Sequence, residues 1–571
     1  MKNRIISIFL VTAMTLGVFT GCSGNNLENT EGTEGASSTD KAMPTMYTVN
    51  DLEENVIDDN YRTCYEVFVY SFCDSNGDGI GDLDGLTSKL DYINDGDPTT
   101  DTDLGCNSIW LMPIMPSTTY HKYDVKDYKD IDPEYGTLED FDEFVTACHE
   151  RGINVIIDFV MNHTSTKHEW FQSAISYLNQ IGKDGEPDLV ECPYVDYYNF
   201  STTQKANYYP VGNSGWYYEG VFWSEMPDLN LANESLRQEY AEIVQFWLDR
   251  GVDGFRLDAV KEFYSGADAK NIDVLSWFSD MVKEKKSDAY LVGEAWMPDY
   301  NSYVPYYKSR IDSFFNFAFA DKNGYITKTL NQSTKSKAST YGKAIVAVQN
   351  LIAENSLEAG DGFIGIDAPF YTNHDMGRSA GYYSGEYAQQ KTKMAQAMNL
   401  LMSGTAFLYY GEELGMKGAG KDENKRVGMY WSDDENYEGL CDGPKDADAV
   451  EMIYDSYEEQ KEDEYSIYNF VKQVIKLRNA YPEIVRGTVT FEESLSNEQV
   501  CVLTKEYEGK QIMILLNLSE TACEVELSGV ILNGKIAGEV TEAGMLQTGE
   551  EAPSLDGSKV TLPAYSVELV Q

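Results

Sequence analysis

GFRLDAV, residues 254–260, is an apolar run that carries Arg256 and Asp258 two residues apart. On a strand, side chains alternate between faces, so these two would point the same way. Three more strings are built alike. DFVMNHT at 158–164 brings Asp158, Asn162 and His163 to the end of an apolar stretch. GEAW at 293–296 does the same for Glu294, and FYTNHD at 370–375 for His374 and Asp375. The apolar runs EVFVYSF (66–72), SIWLMPI (108–114), NVIIDFV (154–160), GFRLDAV (254–260), YLVGEAW (290–296), FFNFAFA (314–320), DAPFYTN (367–373) and TAFLYYGEE (405–413) make eight candidate strands. Helical patterns such as LEDFDEFVTACHERG (138–152) and LRQEYAEIVQFWLDRG (236–251) lie between them and end in Gly, as helices often do. Continuously apolar strands separated by helices predict a parallel (β/α)8 barrel buried on both faces. Such barrels carry their sites at the C-terminal strand ends, where these acids fall.

Two regions depart from that rhythm. Residues 164–226 are too long for a simple crossover and hold aromatic clusters such as GWYYEGVFW, which predicts a subdomain inserted after strand 3 and lying over the pocket. After residue 486, runs such as VCVLTKEY and QIMILLNL alternate apolar and polar residues between turns. Residues 487–571 are therefore expected to form an antiparallel β-sandwich that covers the barrel. The expected organisation is a signal peptide over 1–22, a linker over 23–59, the barrel over 60–486 and the β domain over 487–571.

A formal charge of −50 argues against nucleic acid as a partner, which demands basic surface, and against an acidic substrate. A neutral polysaccharide is compatible with it; adaptation to high salt is a competing account of the acidity. Lys2 and Arg4 followed by the apolar stretch 5–20 have the form of an export signal. The string VFTGC resembles a bacterial lipoprotein cleavage site, with Cys22 as the lipidated residue, although Phe19 stands where Leu is usual. The expected location is thus outside the cell, tethered to the membrane only through that lipid; ordinary secretion is the alternative. The Gly, Ser, Thr, Asn and Glu-rich tract 23–45 has too little apolar content to fold and suits a tether. Eight further cysteines show no metal-binding spacing, and their pairing stays open.

Three carboxylates and two histidines at neighbouring strand ends are a chemistry suited to cleaving glycosidic bonds. The four strings, in this order and spacing, resemble the signature regions of glycoside hydrolase family 13, the α-amylase family, over roughly residues 60–571. MPDLN at 226–230 is similar to the form found between the oligo-1,6-glucosidase and neopullulanase groups. The resemblance implies Asp258 as nucleophile, Glu294 as general acid and base, and Asp375 as the carboxylate that holds the sugar hydroxyls. It further implies Arg256 beside the nucleophile, His163 and His374 on the same sugar, and Tyr123 stacked under it. Asp158 and Asn162 are read as structural. Lys261 stands where many α-amylases have a Lys-His pair, and reaches either a sugar or solvent. Trp296 is expected to help desolvate Glu294. Tyr120 and His121 occupy the place of an Asp that exo-acting relatives use to pin a chain end, which favours endo action. Glu262 puts in doubt the calcium that many α-amylases hold between barrel and insert.

DSNGDGIGD at 74–82 carries its own signal. Asp74, Asn76, Asp78 and Asp82, with the Ile80 carbonyl, have the alternating oxygen spacing of a calcium loop. A structural Ca2+ is expected there, against magnesium or a metal-free turn. Taken together, these readings predict a monomeric α-amylase acting on α-1,4 bonds of starch, glycogen or maltodextrins. Neopullulanase, oligo-1,6-glucosidase or 4-α-glucanotransferase activity are alternatives, and a non-catalytic starch-binding lipoprotein a remote one.

Overall fold

The computed structural model describes residues 49, 52 and 54–571, save 333 and 537–539. The export signal, Cys22 and most of the linker lie outside the described residues. Eight parallel strands form one sheet: β1 (Thr63–Val67), β2 (Ser108–Leu111), β3 (Asn154–Phe159), β4 (Gly254–Leu257), β5 (Tyr290–Gly293), β6 (Ser313–Phe315), β7 (Ile366–Ala368) and β8 (Ala406–Tyr409). They are hydrogen-bonded in the order β7-β6-β5-β4-β3-β2-β1-β8. A parallel bridge between Phe370 and Phe407 joins the two ends and closes the barrel. All eight expected strands are present, each shorter than its apolar run. The largest difference is at β1: its register starts at Thr63, and Val69–Ser71 forms a 3-10 turn instead of strand. Glu66 therefore stands at the C-terminal rim of the barrel instead of at its base.

Alternation along the strands sorts the core. Cys64, Trp110, Ile156, Val292, Phe315 and Phe407 fill the barrel interior as one apolar cluster. Their neighbours Tyr65, Ile109, Ile157 and Leu291 belong to the larger core under the surrounding helices. Those helices begin where the sequence supplies caps. Thr137 and Asp140 form a reciprocal capping box at Leu138–Glu150, and the Asn233 side chain accepts from Leu236 N at the start of Glu234–Asp249.

Residues 164–226 hold helix Glu169–Ile181 and a small antiparallel sheet of Phe200–Ser201, Tyr217–Glu219 and Tyr208–Pro210. The C-terminal region forms a five-stranded antiparallel sheet and a three-stranded one. Val500, Val502, Met513 and Leu515 of the first share a core with Val525, Val560 and Leu562 of the second, which makes a sandwich. The intervening Cys501, Leu503, Ile512 and Ile514 join the main core instead. The larger sheet is thus buried on both faces, and the tail covers the barrel. Among the described residues no helix is long and apolar enough to cross a membrane.

Candidate active site

A cavity of about 500 Å³ opens at the C-terminal rim of the barrel. Asp258, Glu294 and Asp375 all line it, with Tyr123, His163, Lys261 and Trp296. The strings separated by more than a hundred residues in sequence converge because β4, β5 and β7 end on the same rim. Phe222, Trp223 and Met226, from the end of the insert, form part of the wall.

Arg256 organises the floor. It is fully buried, and its Nη1 donates to Asp258 Oδ1 at 2.7 Å and to Asp158 Oδ2 at 2.9 Å. Its Nη2 lies 3.0 Å from Glu294 Oε2. One guanidinium thus sits against three carboxyl groups. Asp158 is more than a loop support: it accepts from Arg256 and from the Tyr123 hydroxyl, at 3.0 Å for the latter. Burial, with the Asp258 charge beside it, raises Asp158 to about 7. Asn162 does hold a loop, donating to Asp228 Oδ1 at 3.3 Å.

Glu294 is raised from 4.5 to about 8, first by burial and then by the charges of Asp258 and Asp375, against the pull of Arg256. Its Oε2 accepts from Ala259 N at 2.9 Å. Ala259 presents that amide from the left-handed region, φ 50°, which costs a non-glycine residue about 1–2 kcal/mol. Strain immediately after Asp258 aims a backbone donor at Glu294. Trp296 is 39% exposed and stacks on Phe317 at 5.1 Å, offering a flat apolar face at the cavity.

Asp375 has the opposite environment. Burial alone would raise it, but His374 Nε2 at 3.2 Å and Arg426 Nη2 at 2.8 Å hold it well below the usual carboxylate range. His374 is itself clamped: its Nδ1 lies 2.5 Å from Glu66 Oε1. Burial disfavours the imidazolium, yet Asp375 and Glu66 outweigh it and raise His374 to about 9. Tyr123 stacks on the His374 ring at 5.5 Å and shares a 2.8 Å hydrogen bond with Nε2. His163 is different. Burial lowers it, and its Nε2 donates to the Tyr123 carbonyl at 3.2 Å, so it anchors the tyrosine backbone while facing the cavity. Lys261 pairs with Glu262 Oε1 at 2.6 Å, and both line the cavity.

Phe222 and Trp223 belong to the GWYYEGVFW cluster that the sequence places over the pocket, whereas sequence reasoning missed Arg426 and Glu66. Only Glu66 left a signal, as a carboxylate within an apolar run.

The Asp74–Asp82 loop folds around its own carboxylates. Asp74 accepts from the amides of Asn76, Gly77 and Gly79, the closest at 2.7 Å. Asp82 accepts from Ser75 N and caps helix Leu83–Ser88 through Gly85 N. Asp442 N donates to Gly79 O at 2.8 Å, tying a later segment to the loop. Among the described residues, no three His, Cys, Asp or Glu side chains are grouped as metal ligands. The eight described cysteines are unpaired.

With this geometry in view, residues 66–487 match the alpha amylase catalytic domain. This chain belongs to the α-amylase family. Among solved structures, Eubacterium rectale Amy13B is 55% identical, with a TM-score of 0.86 over 92% of this chain and 98% of that one. Alpha-amylase 3 of Dictyoglomus thermophilum is 37% identical over 80% of this chain and 84% of its own length. A probable oligo-1,6-glucosidase of Bacillus subtilis is 28% identical over 88% of this chain and 97% of its own. The α-amylase-family protein is a glycoside hydrolase, with the family's (β/α)8 barrel and a C-terminal antiparallel β region.

Proposed function

We propose that the protein is a retaining, endo-acting α-amylase that hydrolyses α-1,4-glucosidic bonds through a glycosyl-aspartate intermediate. The observation that carries this is Arg256 held against Asp258 and Glu294 together, with burial raising Glu294 to about 8. Sharing one guanidinium keeps the two carboxyl groups close, as in retaining glycosidases at about 5–5.5 Å, where inverting enzymes leave room for a water between them.

In the first step Glu294 donates its proton to the glycosidic oxygen as the bond from that oxygen to C1 breaks. Asp258 Oδ attacks C1 from the opposite face and forms an ester. In the second step Glu294, now a carboxylate, takes a proton from water as the water oxygen attacks C1 and Asp258 leaves. Two inversions give retention. Asp375, kept ionised by His374 and Arg426, accepts hydroxyl hydrogens of the same glucose and favours the positive charge that grows on the ring. Tyr123 supplies the ring on which it stacks.

Endo action is supported by Tyr120 and His121 at the position where chain-end-binding relatives place an Asp. It is also supported by Phe222 and Trp223, 49% and 46% exposed, which add apolar surface to the wall of an open cavity. A second assignment, Ca2+ at the 74–82 loop, is supported by an all-oxygen donor set in which Asp74 is already pre-folded by three amides. Asp74, Asn76, Asp78, Asp82 and the Ile80 carbonyl would hold the ion, which would supply a structural cross-link and no catalytic step.

Maltoheptaose digestion tests the function, with products separated by length and the new anomer read by NMR. Mid-length α-anomeric products are expected first. Chains longer than seven would make the protein a transferase, and early glucose alone would make it an exo-glucosidase.

A further inference from the structure

A second cavity, about 380 Å³, adjoins the active-site cavity at Trp296, which lines both. It is lined by Trp296 from the segment after β5 and by Phe317, Asp321, Asn323, Tyr325 and Lys328 from the segment that follows β6. Its link to the catalytic centre is short. Met376, which also lines it, is the residue after Asp375. Trp296 is three residues beyond β5 and lies face to face with Phe317, interplanar angle 25°.

The lining has the two-part character of a surface that binds a neutral sugar. Aromatic faces and the buried Ala318 and Ala320 give an apolar floor. The polar groups have capacity to spare. Asp321 accepts from the Tyr382 hydroxyl at 2.9 Å through Oδ1, which leaves lone pairs for sugar hydroxyls. Asp321 sits in the left-handed region at φ 63°, with its amide bonded to Tyr371 O at 2.9 Å, so strain is spent on fixing its direction. Lys328 makes no ion pair among the described residues, although the chain carries 94 acidic residues. An uncommitted lysine and amide beside an aromatic platform are donors awaiting hydroxyl acceptors.

We propose that this cavity is a distal glucosyl-binding site, so that a long α-glucan continues from the cleavage point across Trp296 and places further glucose units against Asn323 and Lys328. This rests on the α-glucan reading and adds to it a residue-level basis for chain-length preference.

The test uses the full chain carrying Glu294→Gln, which slows turnover enough for binding to be read, with and without the pair Asn323→Ala and Lys328→Ala. Affinity for maltotriose and maltoheptaose is measured by calorimetry, with thermal unfolding as the check on folding. We expect the added pair to weaken maltoheptaose about tenfold and maltotriose less than twofold. Equal weakening of both sugars, or of neither, overturns the proposal. So does an inactive parent that binds maltoheptaose no more tightly than maltotriose. Cleavage of maltoheptaose by the unsubstituted enzyme reports separately on the α-amylase reading. If that cleavage fails while the length-dependent loss of binding persists, the distal site stands and the catalytic reading falls.

Discussion

Glu66, at the rim end of β1, places Oε1 2.5 Å from Nδ1 of His374, and the opposite nitrogen of that ring lies 3.2 Å from Asp375. The imidazolium is held between two carboxylates, and its charge in turn keeps Asp375 ionised. Glu66→Gln removes one of the two partners that raise His374 from 6.5 to about 9. The alkaline limb of the kcat/KM profile, which begins with loss of the Glu294 proton near 8, should therefore steepen as His374 deprotonates at lower pH than in wild type, so the variant loses more activity at pH 9 than at pH 7. Stability follows the same sign. A group raised in the folded state contributes fully below its unfolded value and loses that contribution as pH rises through about 9. The Tm gap between wild type and variant should be widest at pH 6 and narrow by pH 9. A gap independent of pH would show that Glu66 acts only through packing.

Glu294→Gln separates activity from stability. As the proton donor and acceptor, Glu294 should account for about 10²–10⁴ in kcat. Its carboxyl keeps a proton up to about 8 when folded, against 4.5 in the unfolded chain. Folding therefore becomes less favourable as pH rises between those values. Gln has no such dependence, so the variant should unfold at a higher temperature than wild type at pH 8 and show little difference at pH 4. A variant less stable at both pH values would argue that burial does not disfavour the Glu294 charge.

Much of this site was legible because it rests on strands. Asp258, Glu294 and Asp375 each end a continuously apolar run, and such runs have few alternatives to a buried parallel strand. The Asp258–Arg256 contact follows from alternation alone. What escaped the sequence depends on contacts distant along the chain. Arg426 follows the four-residue helix Asp422–Lys425 in a polar stretch without periodicity, and nothing local ties it to Asp375. Glu66 was visible as a carboxylate, but the aromatic run after it folds as a 3-10 turn, which moved the strand end by several residues. Asp158 reads as a structural support in the sequence because its burial beside Arg256 needs both β3 and β4. The left-handed backbone at Ala259 is equally invisible, since alanine carries no preference for it.

Arg426 is the strongest addition from the structure. It is buried, its Nη2 donates to Asp375 Oδ1 at 2.8 Å, and its Nε donates to the His374 carbonyl at 3.1 Å. Arg426→Ala should lower kcat by about 10²–10³, the scale of losing one preorganised charged partner in an active site. Arg426→Lys should recover part of that, because one donor can still reach Asp375 while the second bond is lost. A substitution that changes KM and leaves kcat intact would place Arg426 in substrate binding and not in the orientation of Asp375.

The loop 74–82 offers a test that needs no activity measurement. If Ca2+ binds there in the folded state only, free ion at 100 times its Kd contributes about 2.7 kcal/mol, and a chelator should lower Tm accordingly. Asp74→Asn keeps the side-chain oxygen that the Gly77 and Asn76 amides use, and removes the negative charge a divalent cation requires. That variant should have the same Tm with calcium as with chelator, somewhat below the chelated value of wild type because the Gly79 amide loses its acceptor at Oδ2. The Asp442 amide bonded to Gly79 O ties the loop to the segment around Cys441, so loss of the ion should also raise hydrogen exchange at Asp442. A wild-type Tm indifferent to chelator would leave the loop as a turn held by its own Asx hydrogen bonds, which already satisfy both oxygens of Asp74.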